Sequence, residues 1–109
     1  MVAKLLKGLV LYTVLSASAL AGTQSGKVTK VFVRASDGLI YFFVEGTGAG
    51  KPACASAGYW IIKDENSAAG KRQLAVLLTA RASGEAVTIS GMNTCTRWHD
   101  GEDVEEVVL

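Results

Sequence analysis

His99 is the single histidine of this 109-residue chain and lies in its densest polar stretch, Arg97–Asp103. A histidine beside an aspartate can act as an oriented general base, but a triad also needs a nucleophile from elsewhere in the chain. The acids do not fit the spacing of a calcium-binding loop. We therefore predict no catalytic residue, no metal site and no cofactor, with a small hydrolase centred on His99 as the alternative. The favoured interpretation is a turn in which Arg97 pairs with an acid and Trp98 packs against the fold.

The glycine-rich segment Gly46–Lys51 invites comparison with a phosphate-binding loop. Its spacing is one residue short, and Pro52 stands where the magnesium-binding hydroxyl belongs. Such a loop must also lead directly into a helix, whose N-terminal amides face the phosphate. Because the next predicted element here is a strand, we predict an ordinary connection between two strands.

Aromatic side chains are the best candidates for recognition in this sequence. Sugar rings present apolar C–H faces together with hydroxyls that need paired donors and acceptors. Trp98 stands between Arg97 and Asp100 and offers this chemistry, so these three residues are predicted to bind ligand. The alternative for Trp98 is a packing role. Tyr59 and Trp60 precede two isoleucines and are predicted to be core residues.

The first 21 residues have the tripartite pattern of a cleaved signal peptide. Lys4 and Lys7 supply positive charge, Leu9–Leu15 is apolar, and the triplet Ala19–Ala21 ends the pattern. The apolar run is shorter than the roughly 20 residues that span a bilayer. We therefore predict export, to the periplasm or outside the cell, with no membrane span; the alternative is an N-terminal amphipathic helix. Residues 22–109 are predicted to form one small domain.

The charge balance does not indicate a nucleic-acid partner. The chain has 11 basic and 10 acidic residues, and two of the basic residues, Lys4 and Lys7, belong to the predicted signal peptide. The other basic residues are scattered, whereas a phosphate-binding surface needs them clustered. We predict that no nucleic acid is bound.

Cys54 and Cys95 are the only cysteines, 41 residues apart. In an oxidising compartment such a pair forms one structural disulfide. Closing a loop of about 40 residues contributes roughly 4 kcal/mol in the chain-entropy model. A redox or metal-binding pair is the alternative, but the spacing is not C-x-x-C.

The alternation of apolar and polar residues, together with the turn residues between the segments, predicts a mainly β domain with one helix. The predicted strands are Lys27–Arg34, Leu39–Val44, Tyr59–Lys63, Ala86–Ser90 and Asp103–Leu109. Leu39–Val44 is almost continuously apolar and is predicted to be buried on both faces. The resulting order, β-β-β-α-β-β, is that of an OB-fold-like five-stranded barrel.

The helix is predicted between the third and fourth strands. The polar residues Asp64–Ser67 would cap its start, and Gly84 would end it in a left-handed conformation. Gly70 weakens the helix by about 1 kcal/mol relative to alanine. The apolar side is predicted to carry Leu74, Leu77, Leu78 and Ala82.

Several short segments resemble the B subunits of AB5 toxins in the subtilase cytotoxin branch. They are Tyr41-Phe42, the Gly-rich turn that leads to Pro52-Ala53-Cys54-Ala55, Trp60 ahead of a helix, and Ser83-Gly84-x-x-Val87-x-Ile89. The resemblance covers about Lys27–Ile89, and the stretch from Thr94 to Asp103 departs from it. Those subunits are OB-fold proteins that form pentameric rings and bind cell-surface glycans, often sialylated.

The resemblance implies a glycan ligand, a homopentamer and a catalytic A subunit as partners. In the toxin branch a serine just before the first strand holds the sialic acid carboxylate beside tyrosines. Ser25 falls near that place, although its neighbours Thr23 and Gln24 are not tyrosines. By this resemblance Ser25 is a ligand-binding candidate, the alternative being a residue of a mobile N-terminal tail.

Together these features predict an exported, non-enzymatic binding protein that recognises cell-surface glycan. The alternative is a periplasmic protein-interaction or inhibitor domain with no glycan binding. A native mass of five chains is expected for the first function, and a monomer or dimer for the second.

Overall fold

The computed structural model describes residues 21–109. The elements are β1 (Thr23–Val33), β2 (Ile40–Val44), β3 (Trp60–Ile61), α1 (Ala68–Ser83), β4 (Ala86–Gly91) and β5 (Glu102–Val108). Their order is the predicted one. The predicted signal peptide, apart from its last residue, lies outside the described residues. Within residues 21–109, no helix combines the length and the apolar character needed to cross a membrane.

The five strands close into a barrel in the order β1-β2-β3-β5-β4. β3 and β5 run parallel, and the other neighbouring strands run antiparallel. The first half of β1, Thr23–Lys27, pairs with β4, and the second half pairs with β2. A register irregularity between Val28 and Lys30 separates the halves, and such irregularities bend a strand around a barrel. The predicted OB-fold-like barrel is confirmed.

The core is formed by apolar side chains of the strands, of Ile62 just after β3 and of the buried side of α1. They are Val28, Ile40, Phe42, Val44, Trp60, Ile62, Leu77, Ala80, Val87, Ile89 and Val104. The prediction that Leu39–Val44 is buried on both faces was wrong, because Tyr41 and Phe43 lie half-buried on the outer face. Trp60 is a core residue as predicted, whereas Tyr59 is half-buried outside the barrel.

The ends of α1 follow the sequence signals. The Ser67 hydroxyl accepts a hydrogen bond from the Gly70 N–H at 2.9 Å, and Gly84 adopts φ 74° beyond the last turn. Gly70 is buried because the helix start crosses the preceding loop closely: a Cβ there would lie 2.0 Å from the Asp64 carbonyl oxygen. Glycine at this position therefore serves close packing.

The buried side of α1 matches the predicted one in part. Leu77 is buried and Leu74 packs against the core, as predicted, together with Gly70 and Ala80, whereas Leu78 and Ala82 are exposed. The apolar residues of the helix extend around more of its surface than the barrel covers, so spacing alone did not identify the contact face.

The predicted disulfide is confirmed. Cys54 in the β2–β3 connection is bonded to Cys95 in the β4–β5 loop, with Cα atoms 6.2 Å apart. The segment Gly46–Lys51 lies in the same β2–β3 connection and leads to a strand, as predicted. The disulfide therefore joins two loops that lie far apart in sequence.

Candidate functional site

Four aromatic rings lie together on the outside of the barrel, and we call them the aromatic face: Phe32, Tyr41, Phe43 and Tyr59. Phe32 stacks on Tyr41, with ring centroids 4.5 Å apart and planes 6° apart. Tyr59 contacts Tyr41 at 5.0 Å and Phe43 at 5.7 Å between centroids. The stack forms because Phe32 and Tyr41 are directly opposed in the β1–β2 pairing. Apart from the Phe32–Tyr41 stack the rings are inclined to one another, by 56° for Tyr41–Tyr59 and 83° for Phe43–Tyr59, and the surface is partly open to solvent.

Arg34 connects the end of β1 to Trp98 in the β4–β5 loop. Its guanidinium carbon lies 4.5 Å from the centroid of the Trp98 ring, a cation–π distance. Arg34 also forms an ion pair with Asp37, and both side chains are about one-third exposed. The hydrogen bond from Arg34 lowers the pKa of Asp37 to about 2, so both groups are charged at neutral pH.

The β4–β5 loop, which carries the predicted ligand-binding residues, is shaped by the buried carboxylate of Asp103. The hydroxyls of Thr94 and Thr96 each donate to it at 2.7 Å. The backbone N–H groups of Thr96 and Arg97 donate at 2.9 and 3.2 Å. Burial acts to raise the pKa of Asp103, but these hydrogen bonds outweigh it and lower the pKa. The carboxylate therefore holds the turn that presents Trp98.

Arg97 pairs with an acid, as predicted, and that acid is Glu65. Its Nε and one terminal nitrogen donate to the two carboxylate oxygens of Glu65 at 3.0 and 3.1 Å. The same terminal nitrogen donates to the Asp37 carbonyl at 3.0 Å. The hydrogen bond from Arg97 lowers the pKa of Glu65. Because its donors are bound within the protein, Arg97 positions the loops around the site.

Asp100 connects the β4–β5 loop to the aromatic face. The Tyr59 hydroxyl donates to its carboxylate, and burial together with this hydrogen bond raises the pKa of Tyr59. The backbone carbonyl of Asp100 accepts from the Ala57 N–H at 3.0 Å. Asp100 therefore places one carboxylate at the border of the aromatic face.

His99 is exposed, with 76% of its side chain accessible. Its Nε2 atom lies 3.7 Å from an Asp100 carboxylate oxygen, and its ring centroid lies 5.1 Å from that of Trp98. Trp98 itself is half-buried. Across residues 21–109, no group of three or more histidine, cysteine or acidic side chains is placed to hold a metal ion.

Ser25 lies elsewhere on the barrel. It belongs to β1, opposite Thr88 of β4, and the two hydroxyls are 2.9 Å apart. It is therefore not part of a mobile tail, because β1 begins at Thr23, four residues before the predicted start at Lys27. Its hydrogen bond joins it to β4, whereas Asp100 adjoins the aromatic face through Tyr59 and Trp98 contacts Arg34. Arg97 shares their loop, but its side chain binds Glu65 and the Asp37 carbonyl.

Sequence reasoning missed Phe32, Phe43 and Arg34 at this site. The available signal was strand alternation: Phe32, like Tyr41 and Phe43, occupies a position outside the core. Only the register between β1 and β2 reveals that their rings meet.

The fold and site define an OB-fold-like, disulfide-bonded barrel whose aromatic face adjoins the β4–β5 loop. Comparison of the chain with protein-family models, curated proteins and solved structures found no match. A function must therefore be inferred from the chemistry of this surface.

Proposed function

We propose that the protein is an exported, non-enzymatic binding protein that recognises cell-surface glycan through the aromatic face and the adjoining loop Trp98–Asp100. The observation that carries this proposal is the Phe32–Tyr41 stack beside Arg34 and Trp98. Stacked rings offer apolar area to the C–H face of a sugar. Arg34 and Asp100 supply a donor and an acceptor for its hydroxyls.

The position of the aromatic face supports the same function by analogy between folds. OB-fold barrels bind oligosaccharides and oligonucleotides on the outer face of their second and third strands, between the loops that follow the first and fourth strands. The aromatic face occupies this region here, between the β1–β2 turn and the β4–β5 loop. The carboxylates of Asp37 and Asp100 border it and favour a neutral sugar over a polyanion.

The proposal includes a homopentameric ring and a catalytic A subunit as partner, both implied by the resemblance to toxin B subunits. The Cys54–Cys95 disulfide supports export, because such bonds persist in oxidising compartments. Light scattering of the oxidised protein is expected to give the mass of five chains. A monomer at micromolar concentration would contradict the ring.

Binding to a glycan array, followed by titration of the best ligand, tests the site. Phe32 and Leu78 are exposed apolar residues, at 36% and 50%, and only Phe32 belongs to the aromatic face. Phe32→Ala is expected to weaken binding about tenfold, since an aromatic contact contributes roughly 0.5–1.5 kcal/mol beyond its buried area. Leu78→Ala is expected to leave binding unchanged. Equal effects of the two variants would refute the assignment of the site.

A protein-interaction or inhibitor function is the second candidate, and one observation favours it. A groove between β1 and α1 is lined by Thr29, Lys30, Val31, Phe32, Leu78 and Arg81. Its two exposed apolar side chains, Phe32 and Leu78, and its two cations suit a peptide segment with an apolar and an acidic residue. This function predicts no glycan signal, and binding of such a partner that both Phe32→Ala and Leu78→Ala weaken.

A further inference from the structure

Glu102, at the start of β5, is a fully buried carboxylate. Its Oε2 atom accepts hydrogen bonds from the backbone N–H groups of Asn93 at 2.8 Å and Gly22 at 3.1 Å. Among residues 21–109, no donor reaches its Oε1 atom. A buried carboxylate oxygen without a partner is costly, so the site calls for a further donor.

Gly22 lies against both oxygens of this carboxylate. A Cβ on Gly22 would lie only 2.4 Å from Oε1 and 2.6 Å from the Cγ atom of Lys51. A Cβ on Gly91 would lie 2.0 Å from Oε2. The two glycines therefore let the backbone approach the carboxylate closely, and the backbone nitrogen of Gly22 already contacts it through Oε2.

Lys51 is the charged side chain next to Glu102, and its hydrogen bond goes elsewhere. Its Nζ donates to the Tyr59 carbonyl at 3.3 Å and lies 3.9 Å from the centroid of a Trp60 ring. Burial lowers the pKa of Lys51, while the charge of Glu102 acts to raise it. Lys51 therefore moderates the charge of Glu102 but leaves Oε1 without a hydrogen bond.

We propose that removal of residues 1–21 supplies this missing donor, as the free α-ammonium group of Gly22 bound to Glu102. A signal peptidase adds water across the Ala21–Gly22 peptide bond, which leaves a carboxylate on Ala21. The released amine of Gly22 takes up a proton. It then carries three N–H groups and a positive charge, where the peptide nitrogen carried one N–H group. One of the new donors binds Oε1, and the charge neutralises Glu102.

The position of Gly22 does not depend on the residues before it. Its carbonyl accepts a hydrogen bond from the Gly91 N–H at 2.9 Å, and Thr23 exchanges two backbone hydrogen bonds with Ala49, each of 2.9 Å. Cleavage therefore leaves the new amine beside Glu102. A free α-amine has a pKa of about 7.7–8.0, and a neighbouring carboxylate favours its charged form. Processing would thereby stabilise the closed barrel after export.

The ion pair goes beyond glycan recognition, since it concerns the start of β1 and not the aromatic face. It shares with the proposed function only the cleavage after Ala21. The glycan titration of Phe32→Ala and the experiment below can therefore fail independently.

The test uses the full chain expressed with export, and mass spectrometry of the purified protein is expected to show Gly22 as its first residue. A variant with one glycine inserted between Ala21 and Gly22 moves the amine by about 3.5 Å. Urea unfolding is expected to show at least a tenfold smaller folding equilibrium constant for the insertion. In a Glu102→Gln background, the insertion is expected to have less than a twofold effect. A first residue other than Gly22, or equal effects in both backgrounds, would overturn the ion pair.

A second measurement needs no change at Glu102. The rate at which an N-hydroxysuccinimide ester acylates the N-terminal amine is followed by peptide mass spectrometry at neutral pH. The amine of Gly22 is expected to react at least tenfold more slowly in the unaltered protein than the amine of the insertion variant. Equal rates would mean that the amine is free and would refute the proposal.

Discussion

Arg97 and Glu65, 32 residues apart in the sequence, form a bidentate ion pair with donor–acceptor distances of 3.0 and 3.1 Å. Glu65 precedes α1, and Arg97 lies between β4 and β5. Because Arg97 also donates to the Asp37 carbonyl in the β1–β2 turn, one guanidinium connects three loops. The geometry of the β4–β5 loop, and hence the place of Trp98, depends on this connection.

Replacement of Arg97 is expected to destabilise the fold. Hydrogen bonds to charged groups contribute about 1.5–3 kcal/mol, so Arg97→Ala should lower the free energy of unfolding by that amount in urea titrations. Arg97→Lys should recover less than half, since lysine cannot donate to both oxygens in this planar arrangement. Arg81→Ala, on the exposed side of α1, is the control and should change stability by less than about 0.5 kcal/mol. Equal stability of Arg97→Ala and Arg81→Ala would contradict this account.

Asp103 is expected to make the protein acid-sensitive. Its pKa is lower in the fold than the value of about 3.9 typical of an unfolded chain. Its contribution to stability is therefore complete above that value and is lost as the pH falls through the folded-state pKa. Asp103→Asn should be less stable at pH 6 and should show a shallower decline of stability below about pH 4. Urea titrations between pH 2 and pH 6 measure the free energy of unfolding of the two proteins. If it falls equally with pH in both, Asp103 is not the cause of the acid sensitivity, since the remaining carboxyls titrate in both proteins.

Gln24 is expected to hold the β2 end of the barrel together. The two N–H groups of its buried amide are shared among the carbonyls of Val44, Glu45 and Gly46, at 3.0, 3.2 and 3.0 Å from the nitrogen. Its oxygen accepts the Trp60 indole N–H at 2.9 Å. Gln24→Leu would leave the partners of this amide without hydrogen bonds, and a buried polar group without a partner costs about 1–3 kcal/mol.

Unfolding of Gln24→Leu, followed by tryptophan fluorescence, should show a loss of about 3 kcal/mol or more. Ser25→Leu, at the neighbouring exposed position of the same strand, is the control. A loss for Gln24→Leu no larger than that of Ser25→Leu would refute the role of the buried amide.

Gly70→Ala is expected to destabilise the protein, although alanine favours helices by about 1 kcal/mol over glycine. The added Cβ would lie 2.0 Å from the Asp64 carbonyl oxygen, so the start of α1 must move away from its loop. Gly58→Ala is the control, because its Cβ would meet nothing within 4 Å. Thermal unfolding of both proteins measures the difference. A higher melting temperature for Gly70→Ala would show that helix propensity outweighs the contact.

Local signals in the sequence predicted the order of the elements and the ends of α1, but the third strand is only Trp60–Ile61 and not Tyr59–Lys63. The Ser67 cap and the Gly84 stop act within a few residues of chain, so their positions follow from residue type alone. The pairing of Cys54 with Cys95 needed no geometry, because the chain has no other cysteine. The start of β1 was placed too late, since Ser25 and Gly26 are weak strand formers that only the pairing with β4 holds extended.

The candidate site depended on contacts that sequence patterns do not encode. Arg97 was expected to pair with an acid, but its partner Glu65 lies in another loop. Ser25 was grouped with Arg97 by resemblance, and the two halves of β1 place it against β4 instead. The sequence predicts Asp103 as the start of the last strand and Glu102 only as part of a polar stretch, yet both carboxylates are buried.

The sequence by itself determined the order of strands and helix, the ends of α1 and the disulfide, because each follows from local backbone preferences or from residue counts. The tertiary structure alone decided which apolar residues face outward, which acids are buried and which loops meet. The physical reason is that these depend on strand register and barrel closure. A ring such as Tyr41 or a carboxylate such as Glu102 acquires its role from neighbours that are distant in the chain.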